Sequence, residues 1–175
     1  MRHLHTATHP DIVHLDKVCI VQRMATRAIA LQGDKILLLY TERYEDYSLP
    51  GGGLEQDEDL IKGMVRELEE ETGAVNIRNI KPFGVYEEFR PWHKDDADVM
   101  HMHSYCFTCD VDSELGEPNF EEYEIKNGMQ AQWVPLVDAI AHNEKTMAQS
   151  AKQGLSIQRE TFLLHLIQKE LLPVA

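Results

Sequence analysis

Three glutamates, Glu67, Glu70 and Glu71, fall within five positions of the stretch LPGGGLEQDEDLIKGMVRELEEETGA, Leu49 to Ala74. At helical spacing Glu67 and Glu71 share one face, and Glu70 lies a little further round, within reach of the same point. Like charges four apart cost a few tenths of a kcal/mol per pair, and the C-terminal half of a helix disfavours anions further. A purely structural helix would gain from glutamine or lysine at these positions. Gathered carboxylates offer hard oxygen ligands, which suit Mg²⁺ or Mn²⁺, and those ions suit a phosphate substrate. The competing reading is a solvated acidic face.

The elements that must position these groups follow from the pattern. Pro50 stiffens the entry to Gly51-Gly52-Gly53, and three glycines permit close backbone approach and unusual dihedrals. The spacing predicts a helix from about Asp57 to Thr72, stopped by Gly73, with an apolar stripe of Leu60, Ile61, Met64, Val65 and Leu68 facing a sheet. Strand-like runs begin at Lys17, with a hairpin around Gln32–Lys35 carried by Gly33-Asp34. The run from Glu42 to Ser48 reads as a polar loop. Two more strand runs follow, VNIRNIKPFGVYEEF and VMHMHSYCFTCDV, then an acidic loop, a last strand MQAQWVPL and a short helix VDAIAHN. A C-terminal helix is expected over about residues 156–172, packed on its own domain rather than serving as a dimer contact, although a homodimer is a compatible assembly. The order predicts an α/β class with a mixed sheet. Residues 1–15 read as a histidine-rich N-terminal arm, loosely ordered or strand-forming, and residues 16–175 as one domain.

The chain of 175 residues carries a net charge of −13. That excludes a basic nucleic-acid footprint and argues against an anionic membrane surface. No stretch is long and apolar enough to span a bilayer, and the N-terminus lacks a signal-peptide core. Three cysteines, Cys19, Cys106 and Cys109, make no complete disulfide framework, so a cytoplasmic setting is expected.

The stretch resembles the box of the Nudix hydrolases, G-x5-E-x7-R-E-U-x-E-E-x-G-U with U a bulky aliphatic residue. Gly52, Glu58, Arg66, Glu67, Leu68, Glu70, Glu71 and Gly73 match it at the right spacing, and only Ala74 departs, at a packing position. A looser likeness in element order covers about residues 17–142. The resemblance implies an α/β/α sandwich with a mixed central sheet. It also implies Mg²⁺- or Mn²⁺-dependent cleavage of a nucleoside diphosphate linked to another moiety, such as a nucleotide sugar or (d)NTP, by water attack on phosphorus. By position, Glu67, Glu70, Glu71 and the Gly51 carbonyl would hold metal, Arg66 would orient a carboxylate, and Glu58 would be a supporting acid. The general base stays open between Glu67 and an acid of the later loop, where Glu121, Glu122 or Glu124 could also add a ligand. Arg43, Gly52, Gly53 and Tyr47 are candidate substrate contacts. Glu88 stands where ADP-ribose hydrolases of the family carry a proline, which weakens that assignment. The alternative function is a non-catalytic, nucleotide-sensing module, which the retained box glutamates disfavour.

Two other groupings are weighed. Cys106 and Cys109 lie three apart in a strand run and should face opposite ways. His101 and His103 share a strand face with Tyr105 and Phe107, as a two-histidine site, an active-site wall or a polar strand end.

Overall fold

Apolar and alternating runs in the sequence become seven strands. They are β1 (His3–Thr8), β2 (Ile20–Gln32), β3 (Lys35–Thr41), β4 (Asp46–Ser48), β5 (Arg78–Pro91), β6 (Val99–Asp110) and β7 (Met129–Pro135). The helices are α1 (Leu60–Thr72), α2 (Glu122–Lys126), α3 (Leu136–Gln149) and α4 (Ile157–Leu171). The computed structural model describes residues 1–16 and 18–172. Lys17, the expected start of the strand region, and residues 173–175, the end of the expected domain, lie outside them.

The strands form one mixed sheet in the order β1-β5-β6-β2-β3-β4, with β7 on the other edge of β3. Strands β1 and β5 are parallel, as are β2 and β6, while β5 and β6 are antiparallel. The β2–β3 hairpin turns at Gly33, whose φ of 62° needs a residue without a Cβ penalty. These two strands pair only near the turn, at Leu31–Ile36 and Gln32–Lys35. Further along, β3 pairs with β4, from Leu39–Ser48 to Thr41–Asp46. The middle of β2 is therefore left for another partner.

Each face of the sheet has its own core. On one face, Met64 and Leu68 of α1 pack with Ala28, Ala30, Leu37, Phe107 and Cys109. On the other, Leu136 and Ile140 of α3 and Leu163, Leu164 and Ile167 of α4 pack with Ile29, Ile36, Leu38 and Cys106. Cys106 and Cys109 thus face opposite cores, as strand alternation requires. Truncating a fully buried side chain such as Leu164 costs about 2–5 kcal/mol. Among the described residues no helix is long and apolar enough to cross a membrane.

Several expectations shift. Helix α1 begins later than Asp57, because Asp59 is its cap and accepts hydrogen bonds from the Ile61 and Lys62 amides at 3.0 and 3.2 Å. Ile61, assigned to the apolar stripe, is 45% exposed. The Glu42–Ser48 loop contains β4, the acidic loop contains α2, and α3 runs to Gln149. Their short lengths and charged residues hid β4 and α2. Part of the N-terminal arm is strand β1, paired along β5.

Asp46 sits in β4 at 3% exposure, and burial, reinforced by the Glu160 charge, pushes its pKa up to about 6. Its folded pKa lies above its ordinary value, so the folded state holds the proton more tightly. The resulting cost is absent below about pH 4 and complete above about pH 6. Asp46→Asn is expected to stabilise the protein by ~1–3 kcal/mol at pH 7.5, with the gain shrinking towards zero by pH 4. Denaturant unfolding at both pH values checks this, and an equal gain at both would refute it.

Candidate active site

The gap beside the middle of β2 is filled by the glycine loop. The Ala28 amide donates to the Pro50 carbonyl at 2.9 Å, the Thr26 amide to Gly52 at 3.0 Å, and the Leu54 amide to Met24 at 3.0 Å. Ala25 and Gly53 form an antiparallel bridge. The loop is thus an irregular strand, and it lies close. A Cβ on Gly51 would stand 2.0 Å from the Thr26 carbonyl oxygen, and the φ of Gly51 is +137°. A Cβ on Gly52 would stand 2.6 Å from both carboxylate oxygens of Glu67. The two glycines therefore admit the backbone of β2 and a helix carboxylate respectively.

Helix α1 brings its carboxylates to this loop. Glu71 is 5% exposed, and its Oε2 accepts from the Gly51 amide at 2.6 Å. Burial raises its pKa well above the usual carboxylate range, against the Gly51 amide, and the charges of Glu67 and Glu124 raise it further. Burial also raises Glu67, opposed by the Arg66 guanidinium. Arg66 spreads its donors over the cluster. Nη1 donates to Glu67 Oε1 at 2.9 Å and to Glu70 Oε2 at 3.0 Å. Nε and Nη2 grip Glu58 at 2.8 and 3.0 Å, and Nη2 also reaches the Gly53 carbonyl at 3.4 Å. The bonds from Arg66, with the Glu55 amide, hold Glu58 down at about 2. Glu58 therefore stays ionised as the anchor of Arg66. Among the described residues, Glu67 Oε2, Glu70 Oε1 and Glu71 Oε1 accept no protein hydrogen bond, while the partner oxygen of each is held.

The C-terminal end of α1 is closed by the acidic loop. Gly73 adopts φ 67° as the helix cap, and the Asn119 and Gly116 amides donate to the Glu70 and Gly73 carbonyls, each at 2.7 Å. Ala74, the small residue at the end of the box, is buried in the α1-side core. Of the three loop glutamates, the structure turns Glu124 inward, at 4% exposure, near enough for its charge to raise the Glu71 pKa. Glu121 and Glu122 are exposed. Glu124 Oε2 accepts from the Glu121 amide at 2.7 Å, and its Oε1 accepts from the Tyr123 hydroxyl at 2.9 Å.

Other expected residues are not brought to this cluster. The ring of Tyr47 lies 5.1 Å from those of both Tyr40 and His142, and its side chain packs against the α3- and α4-side core. Arg43 turns to the Asn127 side chain at the end of α2, at 3.1 Å. The Gly51 carbonyl accepts a hydrogen bond from Arg27, which leaves its second lone pair.

Arg27 and Glu160 were missed by the reading of the sequence. Arg27 reaches the Gly51 carbonyl from β2, and its Nε lies 3.8 Å from Glu160 Oε1. Glu160 on α4 is fully buried and also accepts from the Leu49 amide at 3.0 Å and from Arg159 at 2.7 Å. The signals were an arginine amid the apolar run ATRAIAL, and a glutamate occupying an apolar-stripe position three residues after Ile157 and four before Leu164.

The chain belongs to the NUDIX domain family, whose pattern matches residues 21–155. It is similar in structure to a NUDIX hydrolase from Nitrosomonas europaea, at 20% identity and a TM-score of 0.54 over 85% of this chain and 91% of that one. It is also similar to the E. coli ORF135 protein, at 16% identity and a TM-score of 0.52 over 89% and 96% of the two chains. These likenesses establish the α/β/α Nudix fold with its mixed sheet. No curated protein sequence matches the chain.

The glycine geometry separates two substitutions. Gly51→Ala meets immovable backbone at a disfavoured φ and is expected to cost about 3 kcal/mol or more. Gly52→Ala meets only the Glu67 carboxylate, a side chain that Arg66 holds but that rotation can shift, and should cost less, about 1–2 kcal/mol. Denaturant unfolding of both variants, without divalent cations, checks the contrast, and equal losses would contradict it.

Proposed function

We propose that this protein is a divalent-metal-dependent pyrophosphohydrolase that cleaves a nucleoside diphosphate linked to another moiety. The observation that carries this reading is the pinning of Glu67, Glu70 and Glu71, each with one oxygen held by the protein and the other accepting no hydrogen bond from the described residues. Hydrogen bonds to one oxygen fix the direction of the other, which is what a preformed cation site needs. The raised pKa values of Glu67 and Glu71 supply a second support. They mark carboxylates whose charge the protein alone does not satisfy.

The donor set fits a hard cation such as Mg²⁺ or Mn²⁺. Glu67, Glu70 and Glu71 would hold it, with the remaining lone pair of the Gly51 carbonyl and with Glu124 as a further acid. When bound, the cation supplies Lewis-acid withdrawal of charge from the pyrophosphate and lowers the pKa of water. Arg66 orients Glu67 and Glu70, and Glu58 holds Arg66 in place. Glu67 Oε2, on a half-buried carboxylate with a raised pKa, is matched to accept the proton of the attacking water. Glu124, with both oxygens engaged in its own turn, is the weaker candidate for that role. Gly53, where a Cβ would meet only the Arg23 guanidinium at 3.7 Å, leaves room for a phosphate beside the loop backbone. The free thiols of Cys19, Cys106 and Cys109 support a reducing cytoplasm as its setting.

Glu70→Gln and Glu71→Gln are each expected to lower turnover by orders of magnitude while leaving the circular dichroism spectrum unchanged. A panel of nucleotide sugars, (d)NTPs and dinucleotides, followed by phosphate release with and without Mg²⁺, reads both activity and substrate class. Turnover of both variants within about threefold of wild type, a difference of about 0.7 kcal/mol or less, would remove the assignment.

A cation that binds only the folded site adds RT ln(1 + [L]/Kd), about 2.7 kcal/mol at a hundredfold excess over Kd. Mg²⁺ or Mn²⁺ should therefore raise the melting temperature by several degrees, and Na⁺ at matched ionic strength should not. The Glu70→Gln, Glu71→Gln double variant should lose that gain, with and without a non-hydrolysable nucleotide analogue. An undiminished gain in the double variant would mean that the cations bind elsewhere.

A further inference from the structure

A second cluster of metal-ligating side chains lies on the same face of the sheet as α1. Side chains alternate along β6, so His101 and His103 share the face of Phe107, which packs against Met64 and Leu68. His103 is registered with Glu87 of β5 and with Met24 of β2, the residue whose carbonyl accepts from Leu54 beyond the glycine loop. Ligand atoms of Glu87, His101 and His103 lie within 4.8 Å of one another. The three side chains are 27%, 15% and 23% exposed, so the cluster is half-buried yet reachable from solvent.

The surroundings hold the donors in a ligating arrangement. His103 Nε2 donates to the Gln22 Oε1 acceptor at 2.9 Å. In the neutral ring this leaves the lone pair on Nδ1, which faces Glu87 Oε2 at 3.9 Å. A carbonyl behind an imidazole, fixing its tautomer, is the usual outer support of a metal-bound histidine. His101 points Nε2 at the same Glu87 oxygen, at 2.8 Å. Phe89 stacks on the His101 ring at a centroid distance of 4.1 Å and keeps it upright. The two imidazoles are also 4.1 Å apart.

We propose that Glu87, His101 and His103 form a binding site for one borderline divalent transition-metal ion of the Zn²⁺ class, separate from the carboxylates of α1. Two imidazoles and one carboxylate suit Zn²⁺, Co²⁺ or Ni²⁺ and not Mg²⁺. Bonds of about 2.0–2.2 Å place tetrahedral donors about 3.3 Å apart, so side-chain rotation must close the His103 Nδ1–Glu87 Oε2 gap from 3.9 Å and open the His101 Nε2–Glu87 Oε2 pair from 2.8 Å, with release of the proton that this pair shares. Three protein ligands leave a coordination position open, as in sites that bind an exchangeable ligand rather than closed structural ones.

The test is calorimetric titration of the full chain with Zn²⁺ in excess Mg²⁺, with Co²⁺ absorption spectra as a report on imidazole ligation. One equivalent of Zn²⁺ is expected to bind wild type. The His101→Asn, His103→Asn double variant should weaken that binding about a hundredfold or more, and Gln22→Ala about tenfold. Glu70→Gln, Glu71→Gln should leave the Zn²⁺ affinity within about threefold of wild type, a change of under 1 kcal/mol. Gln22 is an exposed side chain, so its variant decides the matter even if the double histidine variant folds poorly. No stoichiometric binding, or binding unchanged by both the histidine and Gln22 substitutions, overturns the site. The latter result would mean that the metal binds elsewhere on the chain.

Discussion

Both backbone polar groups of Gly51 are held. Its amide donates to the buried Glu71 carboxylate of α1, and its carbonyl accepts from Arg27 of β2. Arg27 is in turn countered by Glu160, which also holds the Leu49 amide. A chain of charge and hydrogen bonds therefore runs from the helix on one face, through the loop and the sheet, to α4 on the other. The arrangement requires the loop backbone to lie against β2 with no Cβ between them, so glycine at position 51 is a steric condition for the site. Burying charges in this way is costly unless each is paired, and here each partner also satisfies backbone groups of the loop it fixes.

Repulsion among the helix carboxylates is moderated by one side chain. Arg66 has five N–H donors, and they are distributed over Glu58, Glu67, Glu70 and the Gly53 carbonyl. Lysine, with a single compact charge, could not grip Glu58 with two bonds while reaching two further carboxylates. The remaining mismatch is concentrated at Glu67 and Glu71, whose raised pKa values come from burial. Stability is thus given up at a defined point, beside the glycines, rather than evenly along the helix.

Much of this was legible in the sequence because it is local. Fixed spacing carried the box, the Gly33 hairpin and the Gly73 stop, since each depends on neighbours within a few turns of chain. The sheet face of α1 was read well at Met64 and Leu68 but not at Ile61, because the helix begins only at Leu60 and its first turn overhangs the core. What stayed hidden is contact between distant segments. Glu160 is 111 residues from Leu49, and nothing local distinguishes it from a solvated helix glutamate except its place on an apolar stripe. Tyr47 stands where many family members carry tryptophan, which fits either a substrate contact or packing beneath the loop, and a single sequence does not separate the two. Its strand β4 pairs with β3, and the ring packs with the α3- and α4-side core. The choice among Glu121, Glu122 and Glu124 needed the short helix α2, which sequence periodicity cannot register in five residues.

The family pattern ends at residue 155, yet Arg159 and Glu160 lie beyond it, buried against the underside of the sheet. The recognisable unit and the mechanical unit are therefore different lengths of chain. A recombinant fragment trimmed at the family boundary would keep every box residue and lose α4, and with it the carboxylate that faces Arg27 and holds the Leu49 amide. Through Arg27, Glu160 of α4 is tied to the Gly51 carbonyl across the thickness of the sheet, so the C-terminal helix braces the glycine loop as well as covering the core.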